Sequence, residues 1–262
     1  MNEFKKYFSL YWGCTWKMQT LFLLLIFVVL LANAMMLYIP ELFQRPLAED
    51  EWYAKSLLLQ TRVHGSVVLF VFAAIGASLM FSSMSSPRRR LETLVMPVSA
   101  KVKYGVYFII HIIMPVVAFF VSFFLVEWFR AAMMSLLGYP VLAHLIPASQ
   151  VFGLMPGAED GWSVLYFYSG LLFVQALFAM GSIFFPGKSL LKCMGIYGGL
   201  AFICIMTMLL STFARYEDYG MRPRFDSAVM ESIVVGFLIV FSLGVFVLSY
   251  FRFKGMEVKN RW

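Results

Sequence analysis

Six long apolar runs constrain this chain more than any other feature: residues 20–39, 63–84, 104–126, 163–185, 190–213 and 232–251. Lys192, at the start of the fifth, is the one Asp, Glu, Lys or Arg within them. Each reaches the ~20 residues that an α-helix needs to cross the hydrocarbon core of a bilayer. Backbone N–H and C=O groups in lipid must be satisfied within the segment, so such runs fold as helices. Composition agrees. The 262 residues are 61% hydrophobic and 13% charged, whereas soluble domains are about a quarter charged. The expectation is an all-α integral membrane protein with six transmembrane helices in one transmembrane domain, residues 1–262.

Charge in the connectors orients the bundle. Segments 1–18, 85–103, 186–192 and 252–262 hold 14 of the 21 Lys and Arg and are each net positive. The alternating segments 40–62, 127–162 and 214–231 hold the other 7 and are each net negative. Lys and Arg are retained on the cytoplasmic face, so both termini are expected in the cytoplasm, in a multi-pass protein of the inner (plasma) membrane. The same bias accounts for the net charge of +7 without nucleic acid as a partner.

Residues 1–18 interleave Phe4, Tyr7, Phe8, Tyr11, Trp12 and Trp16 with Lys5, Lys6 and Lys17. That pattern suits an N-terminal interfacial helix with its rings at headgroup depth, or a plain flank of the first span. Ala32-Asn33-Ala34 imitates a signal-peptidase site, but the apolar run continues past it to Ile39, so the segment is read as a span. In the second span, Gly65, Ala73, Gly76 and Ala77 allow close helix approach.

The connector 85–103, SSPRRRLETLVMPVSAKVK, is the most basic stretch of the chain. Leu91, Leu94, Val95 and Val98 share one face of a short helix that Pro97 ends, and Ser99 is placed to cap the next helix. It reads as a solvated loop on anionic headgroups or as a docking element for a cytoplasmic partner.

The search for chemistry finds little. Cys14, Cys193 and Cys204 lack metal or redox spacing and read as packing residues. Gly187-Lys188-Ser189 resembles the end of a phosphate-binding loop, but Ser182 stands where the first glycine belongs and no strand precedes it. His111 is the titratable group deep in a span, fit for a proton relay or a hydrogen bond to a neighbouring helix. Glu127 and Arg130, at i,i+3, are expected to pair just past the third span. Gly195-Ile196-Tyr197-Gly198-Gly199 in the fifth span suits packing or a gate. No catalytic, cofactor or metal site is expected.

Leu94-Val95-Met96-Pro97-Val98-Ser99-Ala100-Lys101, preceded by Arg88, Arg89, Arg90, Leu91 and Glu92, resembles the segment after the second span of ABC-2 type transporter permeases. Met96 stands where leucine is usual, and Ala100 where a basic residue is common. The resemblance implies six spans with both termini inside, an interfacial helix before the first, and an outer cover at 214–231. It implies that Arg88, Arg89, Arg90, Leu91, Glu92, Leu94, Val95 and Met96 form a docking helix for a separate ATP-binding cassette ATPase subunit. The chain would then form the substrate path, as an exporter, in a homodimer or with a paired permease chain. The reading from a different class is a non-transporting membrane scaffold that recruits its partner through the same connector.

Overall fold

The computed structural model describes residues 3–44, 51–86, 91, 93, 96–138, 146, 161–185, 189–197 and 227–259. Its helices are α1 (Glu3–Gln44), α2 (Glu51–Ser78), α3 (Ala100–Leu136), α4 (Gly161–Phe184), α5 (189–197) and α6 (Ser227–Lys259). No strand occurs among the described residues. Five of the helices are long and apolar enough to cross a membrane: α1 to α4 and α6. The expected fifth span begins as α5, and its remainder lies outside the described residues, as does most of the expected outer cover 214–231.

Contacts along the helices fix their directions. Tyr7 meets Tyr107 and Tyr11 meets His111 near the starts of α1 and α3, while Arg130 lies over Tyr38 near their other ends. Those two helices therefore run the same way. Helix α2 runs against them, with Gly76 on Pro115 at its end and Thr61 on Tyr38 near its start. Ser189, just after α4, donates to the Ser78 carbonyl at 2.6 Å, and Arg252 of α6 lies over Phe184 at the end of α4. The starts of α1 and α3 and the ends of α2, α4 and α6 thus gather at one end. It carries exposed Lys5, Lys6, Lys101, Lys192, Arg252 and Lys254, and we refer to it as the basic end.

Helix α1 is longer than the expected first span. Its 42 residues extend about 63 Å at 1.5 Å per residue, against a hydrocarbon core of ~30 Å. Residues 3–18 run into the expected first span as one continuous helix. No proline occurs before Pro40, and Gly13 sits in open space where it costs no packing. Tyr7 is buried, so the N-terminal turns are held against α3 along the bundle.

Helix α3 also exceeds expectation, continuing past residue 126 through Leu136. The alanines, methionines and leucines of 131–137 are good helix formers, and Gly138, at φ 81°, occupies the left-handed conformation that ends helices. Residues 127–136 are therefore part of the helix and not of the connection after it.

One part of the core joins α1, α2 and α3 through Ile26, Leu69, Phe72, Phe119 and Phe123, and Phe167 of α4 caps it. A second lies nearer the basic end, where Met80, Phe81 and Tyr107 meet Ala176, Ala179 and Phe253. Small residues set the approach distances: Ala73, Ala77, Ala176 and Ala179 are all buried, and Gly181 packs on the Cys193 side chain.

Candidate functional site

Helix α3 is not regular throughout. Residues Ile109–Ile113 form a π-helical turn, in which the Met114 N–H bonds the Ile109 carbonyl five residues back. Pro115 follows immediately and has no N–H to offer the His111 carbonyl. Backbone carbonyls set free at this depth need other partners. Gln175 of α4 supplies one, donating from Nε2 to the Ile112 carbonyl at 3.0 Å. The His111 carbonyl faces Gly76 of α2 so closely that a Cβ there would lie 2.9 Å from it and 2.6 Å from Cγ of Pro115. Gly76 is required at that contact.

His111 is the hub of this turn. Its Nε2 lies 3.0 Å from the Tyr11 hydroxyl, and its ring also hydrogen-bonds the Gly76 backbone. The imidazole therefore bonds neighbouring helices on two sides. Tyr11 in turn meets the Tyr107 ring edge-on at a centroid separation of 4.8 Å, and the Tyr7 hydroxyl donates to Tyr107 Oη at 3.2 Å. Three helices, α1, α2 and α4, thus hold the irregular segment of α3 by polar contacts or backbone approach.

The connector reaches the same segment. Thr93 is buried, Leu91 is 53% exposed, and the chain turns at Met96–Val98 with a 2.7 Å hydrogen bond from the Val98 N–H to the Met96 carbonyl. Met96 and Val98 pack with Phe4 and Phe8 against buried Tyr7, Val106 and Ile110. Ser99 occupies the N-cap position of α3, as its sequence suggests, but its side chain makes no capping bond. Lys103 is not a loop charge. It lies in the first turn of α3 and is fully buried there. Of the expected docking residues, Leu91 and Met96 are described. Arg88, Arg89, Arg90, Glu92, Leu94 and Val95 lie outside the described residues.

A second polar cluster sits about 24 Å along α3 from His111, counting 16 residues at 1.5 Å each. The expected Glu127–Arg130 pair forms, and it forms inside the helix bundle: both side chains are at most 4% exposed. Arg130 Nη2 donates to Glu127 Oε2 at 2.7 Å, and its Nε reaches both carboxylate oxygens at 3.1 and 3.2 Å. The guanidinium also lies 5.3 Å from the Tyr38 ring centroid. Thr61 donates to the Leu57 carbonyl, which leaves its oxygen to accept from the Tyr38 hydroxyl at 3.0 Å. The sequence suggests the pair but not its burial, because both charges fall just beyond the end of the apolar run 104–126.

Between α1 and the π-turn lies a crevice of 180 Å³. Met18, Leu21, Phe22 and Leu25 form its α1 wall, and Leu79, Ile110 and Pro115 the opposite one. No group of three or more metal-ligating side chains occurs among the described residues. No family model matches this chain, and neither a curated protein nor a solved structure matches it.

Proposed function

We propose that this chain is the membrane-spanning subunit of an ATP-driven transporter of the ABC-2 type, an exporter in the plasma (inner) membrane. It carries no catalytic machinery of its own in this reading. A separate ATP-binding cassette subunit docks on the connector 85–103, and the chain dimerises or pairs with a similar permease around the substrate path. The resemblance of residues 88–101 to the permease segment motivates the reading.

The observation that carries it is mechanical. The described part of the connector packs on the first turns of α1 and α3, and those turns lead within two helical turns to the π-turn at Ile109–Ile113. A π-turn followed by proline is where a helix yields, because its backbone bonds are already rearranged. Force applied by a docked ATPase at Leu91 and Met96 would be delivered to that point. The helix body beyond it, from Met114 to Leu136, would then rock against α1 and α2.

Chain direction supports six crossings. Helix α4 ends at the basic end, and α6 also runs toward it. Between them the sequence holds the apolar run 190–213, which has the length and composition of a further span. With six crossings, both termini lie at the basic end, which the Lys and Arg distribution assigns to the cytoplasm.

The test replaces Arg88, Arg89 and Arg90 together with glutamine in the full chain. The expected result is loss of the ATPase subunit at moderate salt, with unchanged membrane insertion and an unchanged size-exclusion profile. Retention of the ATPase by the triple variant would remove the docking assignment.

A further inference from the structure

We infer that a small cavity between α1, α2 and α3 binds one ordered water molecule, which ties Asn33 to the Glu127–Arg130 pair. Seven of the eight residues around this cavity are buried, and Asn33 is the partly exposed one. Its room is 10 Å³, about what a single water requires. Leu30, Gly65 and Phe123 belong to its apolar walls. Each of the three helices sets one polar side chain among them: Asn33 from α1, Thr61 from α2 and Glu127 from α3.

Hydrogen-bond capacity selects the occupant. Asn33 lies within the apolar run 20–39, and its amide makes no hydrogen bond to another described residue. Its N–H donors and its carbonyl find no water in the surrounding hydrocarbon, so they need a partner inside the bundle. Glu127 has an acceptor to offer. An ionised carboxylate takes about four hydrogen bonds, and Arg130 makes the contacts this one has, with a single one to Oε1. Thr61 donates to the Leu57 carbonyl and accepts from Tyr38, which leaves one lone pair on its oxygen. A water that accepts from Asn33 Nδ2 and donates to Glu127 Oε1 and Thr61 Oγ1 serves all three groups. Buried waters commonly have about three such partners. An uncharged occupant suits the site, because Arg130 already balances the Glu127 carboxylate. The water gives α1 a second polar tie to the ion pair, beside the contact of Arg130 with the Tyr38 ring. This inference does not depend on transport activity.

The test is X-ray hydroxyl-radical footprinting of the full chain in nanodiscs, read by mass spectrometry. Radiolysis of a bound water oxidises the side chains that touch it, however deeply they are buried. Phe123 lines the cavity, whereas Phe119, one turn earlier in α3, is also buried but lies in the apolar core away from it. Phe123 should therefore be oxidised several-fold faster than Phe119. Asn33→Leu, which fills the cavity and removes a partner, should bring Phe123 down to the Phe119 rate. Thr61→Val keeps the side-chain shape and removes a different partner, so it should slow Phe123 as well, and it serves if Asn33→Leu fails to insert. Equal rates at Phe119 and Phe123 in the unaltered chain would overturn the inference. So would fast oxidation of Phe123 that survives these substitutions, since local opening of the helices would then be its source.

Discussion

Gly76→Ala tests the geometry of the π-turn most sharply. The added methyl would lie 2.6 Å from Cγ and 3.2 Å from Cβ of Pro115, and 2.9 Å from the His111 carbonyl oxygen. A ring fused to the backbone and a backbone carbonyl cannot turn aside as a side-chain tip can. Helices α2 and α3 must therefore part, weakening the His111 contact with Gly76. Overpacking of this kind costs about 1–3 kcal/mol. Gly170→Ala in α4 is the control, because its new methyl would meet only the Phe70 ring, at an ordinary 3.9 Å. Both changes gain whatever alanine adds to a helix, roughly 1 kcal/mol in water. The difference between the two variants thus isolates the clash. Unfolding in mixed micelles titrated with SDS measures it, and Gly76→Ala should be the less stable by about 1–3 kcal/mol. Equal stability of the two variants would refute the close approach of α2 to the π-turn.

Glu127→Gln leaves the buried Arg130 guanidinium without its anionic partner, and should destabilise the bundle by about 3–5 kcal/mol in the same titration. The double variant Glu127→Gln/Arg130→Met should recover most of that loss, since removing both charges removes the desolvation penalty. Gln175→Leu removes the bond to the Ile112 carbonyl and should cost about 0.6 kcal/mol, at most about 1.7. Faster hydrogen exchange of the amides at 112–117 than in wild type should accompany it, and unchanged exchange would deny Gln175 its role at the turn. Tyr11→Phe should accelerate the same amides less, because the ring still packs on Tyr107 while only the hydroxyl contact to His111 is lost.

The helices themselves were legible in the sequence because lipid imposes a length and a composition. Apolar runs of 20 residues or more marked α1 to α4 and α6, and alternation of charged connectors anticipated which helix ends gather together. Gly65, Ala73, Gly76 and Ala77 were recognisable as contact residues because only small side chains permit backbone approach. Helix ends were less legible. The charge at Glu127 reads as the edge of the membrane, yet pairing with Arg130 lets α3 carry both residues on as buried groups. The aromatic-basic pattern of residues 1–18 reads as an interfacial helix or a plain flank of the span, and the burial of Tyr7 against Tyr107 depends on a partner 100 residues away that the local pattern does not name. Pro115 hinted at a distortion in α3. The π-turn before it, and Gln175 as the side chain that satisfies it, depend on tertiary packing that no local pattern encodes.

Isolation of the intact complex decides whether this chain works with a separate ATPase, as we propose. The tagged full chain is extracted in mild detergent, its co-purifying proteins are identified, and ATP hydrolysis is assayed. The expected result is a stoichiometric ATP-binding cassette subunit and hydrolysis that disappears when residues 88–96 are altered. A chain that purifies alone, or with a partner that hydrolyses no ATP, would contradict it and favour a membrane scaffold.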